Sequence, residues 1–312
     1  MTTRQLTYSY IGQLDPGTIA RQPILDIAAR CWDGDRYEAF RVCYRSMRWI
    51  DDLVDHQKSA TPQIIKSKIV QIERTISSWI NAIRTGNFFD SSQKELADVL
   101  QEFRIPLDPW KRFMKSMLYD LQHDGFANIL TFLRYCNGAA IAPASIFMHL
   151  CGITRGKQGY RAPNYDIREA ARPLALFSYL VHIIRDFQKD HLSNLNYFPE
   201  NLLQRYGLDR ERLRRIAEGE PAVNSFRRLI GDYVSMAEFY RNRSLKTLHR
   251  IFPGMEEKYR VSLEIIYQLY LQIYEKIDPN HGNFTGEELN PTPEEIRNRL
   301  RAITGVSIQT AG

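Results

Sequence analysis

The chain has 312 residues, of which 44% are hydrophobic, 12% aromatic and 25% charged. These proportions are typical of a folded globular protein and exclude a disordered, collagen-like or disulfide-scaffold chain. The formal net charge of +6 is a mild basic excess, and it predicts no nucleic-acid partner. Residues 1–14 lack a basic stretch followed by an apolar one, so we expect no secretory signal. The most apolar segment, Gly138 to Ile153, is shorter than the ~20 residues of a spanning helix.

Four scattered cysteines form no CxxC pair, which predicts reduced, buried thiols and a cytoplasmic protein; they are Cys31, Cys43, Cys136 and Cys151. Basic residues are densest at Arg210–Arg215 and Arg241–Arg250. Solvated helix faces explain both runs most simply, and an anionic membrane surface or a polyanionic ligand is the alternative.

Apolar residues recur at three- and four-residue steps and predict helices, in chain order, over Tyr37–Val54, Ile64–Ile83, Trp110–Leu121, Ile167–Asp186, Asn224–Leu248 and Tyr259–Ile277. Glycine and proline separate these segments. No alternating β pairs and no internal repeat are evident. The sequence therefore predicts one all-α domain over residues 1–290, followed by a polar C-terminal tail, 291–312. The tail is expected to contain a short helix that begins near Pro293 with Thr292 as its cap.

The first chemically distinctive segment is YRSMRWIDDLVD, residues 44–55. On a helix, Asp51 and Asp55 project from one face, whereas Asp52 points about 100° away. Arg48 and Tyr44 lie on the same stripe as Asp51. The segment thus predicts two carboxylates, one guanidinium and one phenol along a single helix face.

The second distinctive segment is HIIRDFQKD, residues 182–190. On one continuous helix, His182, Asp186 and Asp190 would form a single row with Arg185 beside it. We call residues 44–55 the first acidic segment and residues 182–190 the second acidic segment.

Both acidic segments are embedded in apolar sequence, where carboxylates are costly unless they are paired or bind a metal. Two carboxylates one helical turn apart also repel each other. Oxygen ligands without cysteine or clustered histidine favour Mg²⁺, which keeps waters and bridges to substrate phosphates. In the alternative interpretation, each aspartate pairs with a neighbouring arginine on a solvated helix face.

The two acidic segments, in this order, resemble the aspartate-rich motifs of the squalene/phytoene synthase family, down to Tyr197-Phe198-Pro199 after the second. The segment around Asp120, the small-residue stretch Tyr135–Ala144 and the segment Tyr270–Ile273 resemble further parts of that family. The resemblance covers roughly residues 30–278. It implies the all-α isoprenoid synthase bundle, with both acidic segments facing a central cavity.

Position by position, the resemblance implies that Asp51, Asp55, Asp186 and Asp190 are catalytic and hold several Mg²⁺ ions. Tyr44 and Arg48 are implied to be catalytic as well, and together with Arg185 they would lie near the diphosphates of two prenyl diphosphate substrates of C15 or C20 length. Prenyl tails would pass Gly138 and Ala139, although tight helix packing explains these small residues equally well. Further substrate contacts fall on Tyr179, His182 and Tyr270. Aromatic candidates for the cavity wall are Tyr44, Tyr119, Phe147 and Tyr179.

The implied reaction is a head-to-head condensation through a cyclopropylcarbinyl diphosphate to a squalene- or phytoene-type product. The sequence leaves open the chain length, the use of NADPH, the final quench of the cation and the oligomeric state. The greasy product and the basic excess suggest peripheral contact with the cytoplasmic membrane face.

The chain departs from the family where Asn and Gln are usual, because His182 and Tyr179 stand there. The small-residue stretch also contains Pro143, which is expected to kink its helix. Two alternative functions therefore stay open. One is a terpene synthase that ionises and cyclises a single prenyl diphosphate, and the other is a non-catalytic relative that serves as a binding or assembly factor.

Overall fold

A computed structural model describes residues 23–60 and 66–304. The N-terminal segment assessed for a signal, the predicted helix start at Ile64 and the last eight residues of the tail lie outside the described residues.

The helices follow one another along nearly the whole described chain: α1 Ile24–Ala29, α2 Gly34–Ala60, α3 Lys66–Thr85, α4 Ser91–Glu102, α5 Asp108–Gln122, α6 Ile129–Ala139, α7 Ile141–Gly152, α8 Ile167–Arg185, α9 Phe187–Leu192, α10 Glu200–Arg205, α11 Arg210–Ala217, α12 Asn224–Ile251, α13 Glu257–Tyr274, α14 Gly286–Leu289 and α15 Pro293–Thr304. A short antiparallel hairpin, β1 (Thr154–Gly156) and β2 (Gly159–Arg161), stands between α7 and α8. The prediction of an all-α fold is confirmed.

Local sequence signals set many helix starts. Asp90, Asn128, Asp166 and Asp209 each accept a hydrogen bond from the backbone N–H three residues later, at the beginnings of α4, α6, α8 and α11. Such side chains satisfy one of the N–H groups that a helix start leaves unpaired. Gly86 follows α3 at φ +78°, a left-handed conformation that glycine adopts without steric cost.

All six predicted helices are present, with ends shifted by a few residues. The sequence prediction missed α1, α4, α6, α10 and α14, and it placed a loop where the β1–β2 hairpin forms. The hairpin is too short to show an alternating pattern. Its Tyr160 ring stacks on Phe103 with centroids 4.7 Å apart, and the Tyr160 hydroxyl donates to Asp35 at 2.6 Å. Tertiary contacts therefore fix this hairpin.

Helix α7 lies at the centre of the bundle and packs against α2, α5, α6, α8 and α13. Its residues are buried apart from the partly accessible Pro143 and Ala144. Helix α8 packs along α12 on its other side. The apolar 138–153 segment is thus a core helix rather than a membrane span, and in the described chain no helix is both long and apolar enough to cross a bilayer.

The break between α6 and α7 fits Pro143. Helix α6 ends at Ala139, and Ala140 at φ −112° joins it to α7. A proline ring clashes with the carbonyl four residues earlier, here that of Ala139, so the helix is interrupted there. The predicted kink is confirmed.

The chain described beyond residue 291 includes a folded helix. Glu295 N–H donates to Thr292 Oγ1 at 3.2 Å at the start of α15, which confirms the predicted cap. Helix α15 packs against α13, and Leu300 is fully buried. The division of the chain at residue 290 stays a prediction.

The four cysteines are free thiols, and three of them are buried. The run Arg210–Arg215 pairs with carboxylates, as in Arg210–Glu200 at 2.9 Å and Arg214–Glu218 at 2.9 Å. This pairing favours the interpretation of that run as a solvated helix face.

Candidate active site

A cavity of about 730 Å³ opens between α2, α5, α7, α8 and α9. Its polar side is formed by the two acidic segments, which lie far apart in sequence. Its apolar side is formed mainly by Phe40, Met47, Phe113, Met117, Ile146 and Phe147. Each helix contributes one stripe of its surface, so helical periodicity decides which residues reach the cavity.

The first acidic segment lies on the continuous helix α2 and borders the cavity. Arg48 donates from Nη1 to Asp51 Oδ2 at 2.9 Å and pairs through Nε with Asp52 Oδ1 at 2.8 Å. The Asp51 side chain is 28% exposed and that of Asp52 is 58% exposed. Asp52 also lines the cavity, so its separation from the face of Asp51 stays a prediction. Asp55 and Tyr44 also line the cavity.

Burial and, to a lesser extent, repulsion from the nearby Asp55 raise the pKa of Asp51 to about 6 against the opposing effect of Arg48. The charged carboxylate of Asp51 is therefore held at an energetic cost, which a bound cation would offset.

The second acidic segment is not one straight helix, and the expectation of a single row on a continuous helix is wrong. Helix α8 ends at Arg185, Asp186 at φ −93°, ψ 7° forms the junction, and α9 begins at Phe187. Backbone hydrogen bonds from Asp186 N to His182 O at 2.9 Å and from Asp190 N to Asp186 O at 2.8 Å preserve the one-turn spacing. His182, Asp186 and Asp190 therefore still line the same cavity.

Arg185 holds the Asp186 carboxylate through two hydrogen bonds, at 2.6 Å to Oδ1 and 3.1 Å to Oδ2. Burial acts to raise the pKa of Asp186, but the hydrogen bonds and charge of Arg185 outweigh it and keep this pKa below its ordinary value. Burial and repulsion from Asp186 together raise the pKa of Asp190 to about 7. The two carboxylates of this segment thus have opposite electrostatic environments.

His182 is a neutral imidazole in this arrangement. The Arg185 guanidinium lies 2.7 Å from Nδ1 and can only donate, so Nδ1 accepts. The hydrogen is then on Nε2, which lies 3.4 Å from Asp186 Oδ2. Burial lowers the pKa of His182 to about 4. Its accessible surface faces this cavity and a second one that it also lines.

The second cavity, of about 200 Å³, adjoins the first and is mostly apolar. Ala139, Pro143, Phe147, Tyr179 and His182 border both cavities. Tyr270 lies on the second cavity. The predicted substrate contacts Ala139, Tyr179 and Tyr270 are therefore brought together by the fold.

Two predicted positions lie elsewhere. A β-carbon at Gly138 would collide with the carbonyl oxygen of Arg112 and the hydroxyl of Ser116, so Gly138 allows α6 to approach α5 and does not border either cavity. Tyr119 stacks between His123 and Phe126 and is not part of the cavity wall. Helix packing, rather than prenyl-tail passage, explains Gly138.

Sequence reasoning missed several residues of the cavity. Lys189 lies between Asp186 and Asp190 in sequence and lines the cavity with them. Tyr135 donates to Asp120 Oδ2 at 2.6 Å, and both residues also line it. The position of Lys189 between two aspartates in the sequence could have indicated its place in the site. The Tyr135–Asp120 hydrogen bond could not be predicted in this way, because it depends on the packing of α6 on α5.

The donor set fits a hard cation. In the described ranges, no three His, Cys, Asp or Glu side chains converge closely enough to hold a metal ion on their own, and Arg48 and Arg185 pair with the carboxylates instead. Nevertheless, Asp51, Asp55, Asp186 and Asp190 border one cavity, and burial raises the pKa of Asp51 and Asp190. Carboxylate oxygens that are charged at a cost are suitable partners for Mg²⁺ together with substrate phosphates.

Comparisons with known proteins agree with this fold. A chloroplastic phytoene synthase 2 of Solanum lycopersicum is 23% identical over 265 residues, covering 84% of this chain and 79% of that protein. A chloroplastic phytoene synthase 1 of Zea mays is also 23% identical, covering 80% of this chain but only 57% of its own length. Among solved structures, a dehydrosqualene synthase in complex with ligand superposes with a TM-score of 0.67, at 16% identity, covering 97% of this chain and 98% of its own.

A squalene synthase from Alicyclobacillus acidocaldarius superposes with a TM-score of 0.60, at 14% identity, covering 90% of this chain and 94% of its own. The squalene/phytoene synthase family model matches residues 27–297, which include both acidic segments. The chain therefore belongs to the squalene/phytoene synthase family, a family of prenyltransferases.

Proposed function

We propose that the protein joins two prenyl diphosphates head to head in a Mg²⁺-dependent reaction. The observation that carries this proposal is that two acidic segments from different helices border one cavity whose remaining walls are apolar and aromatic. Asp55 and Asp190 are close enough across this cavity for each charge to bear on the other. A diphosphate between the segments would have its apolar tail directed toward the apolar walls.

Arg48 and Arg185 pair with carboxylates of the cavity, and Lys189 lines the same cavity. Arg48 and Arg185 now pair with Asp51 and Asp186, and their guanidinium groups offer further N–H donors to phosphate oxygens. They would orient the diphosphate and stabilise the negative charge that develops on it as it leaves.

Asp51, Asp55, Asp186 and Asp190 would hold the Mg²⁺ ions. When bound, Mg²⁺ supplies a Lewis acid that neutralises charge on the diphosphate oxygens. The carboxylates would fix the position of the diphosphate relative to the tail.

In the proposed sequence, one allylic C–O bond breaks, diphosphate leaves, and the allylic cation accepts the electron pair of the second substrate's double bond. Loss of a proton closes a cyclopropylcarbinyl diphosphate. A second ionisation and rearrangement follow, and loss of a proton or gain of hydride ends the reaction. Tyr44, Phe147 and Tyr179 line the cavity and would stabilise cations through their ring faces while water is excluded.

The test is incubation of the purified protein with Mg²⁺ and farnesyl or geranylgeranyl diphosphate, followed by mass analysis. A C30 or C40 product supports the proposal, and a trapped cyclopropylcarbinyl diphosphate supports the intermediate. A cyclic C15 or C20 product instead indicates single-substrate cyclisation, and absence of turnover indicates a binding or assembly factor. Parallel reactions with and without NADPH show whether hydride ends the reaction.

Peripheral membrane contact is a separate proposal that rests on the apolar product and the mild basic charge. Flotation with anionic vesicles tests it, and complete recovery of the protein away from the vesicles would contradict it.

A further inference from the structure

A third, smaller cavity of about 80 Å³ lies behind α7, on the side away from the acidic segments. Ile146 borders both this cavity and the large one. The polar residues that line the small cavity belong to neither acidic segment. Arg112, Asn137, His149 and Arg168 line it. The space is several times that of one water molecule, so it can hold a small polyatomic ligand.

Two arginines meet beside this cavity without an anionic partner. Arg168 Nη2 and Arg172 Nη1 donate to the same oxygen, Asn137 Oδ1, at 3.0 Å and 3.3 Å. The Asn137 amide nitrogen donates to the carbonyls of Leu133 and Arg134, so its oxygen is fixed toward the arginines. Among the described residues, neither guanidinium lies within ion-pair distance of a carboxylate. Two like charges one turn apart repel each other, and one neutral oxygen compensates them poorly.

The position in the helix adds to this cost. Arg168 is in the first turn of α8, whose N-terminus carries partial positive charge. Two carboxylates lie at this helix end: Asp166 accepts from the Glu169 backbone N–H at 2.9 Å, and both side chains belong to exposed residues. Asp108, a carboxylate that lines the cavity itself, pairs with Arg112 at 2.5 Å. The positive charges of Arg168 and Arg172 are therefore not neutralised by any of these carboxylates.

Two buried polar atoms without a partner belong to residues of the same cavity. They are Arg168 Nε, a donor, and His149 Nδ1. His149 Nε2 bonds to the Phe103 carbonyl at 2.8 Å, which can only accept, so Nδ1 carries the lone pair. Buried groups of this kind are almost always satisfied by a protein atom, water or a ligand.

We propose that this cavity is a binding site for a phosphate oxyanion, distinct from the acidic segments. Phosphate oxygens accept from planar guanidinium groups in a matching geometry. A hydrogen phosphate also carries one O–H that can donate to His149 Nδ1. The phosphate comes either from a free phosphate or diphosphate ion or from the headgroup of a phospholipid. The proposal does not depend on the proposed function.

The first test is calorimetric titration of the full chain with inorganic phosphate and with diphosphate, in EDTA. The double variant Arg168→Gln/Arg172→Gln should weaken phosphate binding at the proposed site at least about tenfold, since each hydrogen bond to a charged group is worth ~1.5–3 kcal/mol. The double variant Arg48→Gln/Arg185→Gln should instead remove phosphate binding at the acidic segments. Arg214→Gln is the matched control, because Arg214 is exposed and paired with Glu218. It should change phosphate binding at neither site.

The second test locates the ligand and its source. Phosphate should slow amide exchange over residues 166–172 in the wild type but not in the Arg168→Gln/Arg172→Gln variant. Sedimentation with phosphatidate vesicles that depends on these arginines identifies a lipid headgroup, and binding of free phosphate alone identifies the ion.

Arg168→Lys/Arg172→Lys keeps the charge but loses the planar fork, and it should bind with intermediate affinity. The lysine variant also serves as the test protein if the glutamine variant does not fold. Unchanged phosphate and vesicle binding in both double variants would overturn the proposal. Turnover of prenyl diphosphates, measured separately, reports on the proposed function alone.

Discussion

The two acidic segments contain similar residues, yet the structure places them in different environments. The first lies on one face of an uninterrupted helix, and its arginine is largely exposed and shared between Asp51 and Asp52. The second lies across a helix junction, and its arginine is 18% exposed and held by Asp186 and His182. The second segment is therefore organised by its own contacts before any ligand binds, whereas the first depends more on what binds to it.

The largest expected effect tests whether both segments act in one reaction. Asp51→Asn and Asp186→Asn should each lower turnover by about 10²–10³, the loss typical for removal of one electrostatic stabiliser. Asp52→Asn is the control, because its side chain is mostly exposed, and it should lose much less. Steady-state kinetics with Mg²⁺ and prenyl diphosphate measures this, and an equal loss at Asp52 would show that the face assignment is wrong.

The same variants should differ in stability. Asp186→Asn leaves the mostly buried Arg185 guanidinium without its anionic partner. We therefore expect a loss of about 1–3 kcal/mol in the free energy of unfolding. Asp51→Asn removes a carboxylate whose charge is costly and leaves Arg48 exposed to water, so its stability should change little. Urea unfolding of the two variants measures the difference, and equal destabilisation would contradict the distinction between the segments.

Asp190 provides a pH-dependent comparison. Its pKa in the folded protein, about 7, is above its ordinary value, so the folded state holds the proton more tightly than the unfolded state does. Stability from this group is complete at low pH and is lost as the pH rises from about 4 to about 7.

Asp190→Asn should therefore stabilise the metal-free protein at pH 8, on the order of 4 kcal/mol, and much less at pH 5. Unfolding in EDTA at both pH values measures it. In the wild type, Mg²⁺ should raise the melting temperature more than it does in Asp190→Asn, and an equal increase would argue against Asp190 as a ligand.

The smallest expected effect concerns His182, which distinguishes the second segment in this chain. His182→Asn replaces the imidazole acceptor of Arg185 with a shorter amide group, and it should lower the rate about two- to tenfold, as expected for disturbing one hydrogen bond, or change the product distribution. Because the imidazole is neutral, its loss should not remove an inflection near pH 6.5 from the pH–rate profile. Unchanged products and rate would make His182 an ordinary core residue.

Much of the site could be predicted from the local pattern. Helical periodicity placed Asp51 and Asp55 on one face, because a regular helix converts sequence spacing directly into direction, and both line the cavity. The same reasoning failed for the second acidic segment, since it assumed a continuous helix through Asp186. It also could not decide between packing and tail contact for Gly138, because a small residue serves both.

The sequence by itself determined the all-α class, the principal helices, the interruption near Pro143 and the residues of both acidic segments, since each depends on interactions within a few residues of chain. Only the tertiary structure decided that Lys189 and Asp120 join the cavity, that Gly138 faces α5, and that Arg168 and Arg172 meet at Asn137. These features depend on which helix faces come together. That choice is made by burial of apolar surface summed over the whole chain, and no local pattern contains it.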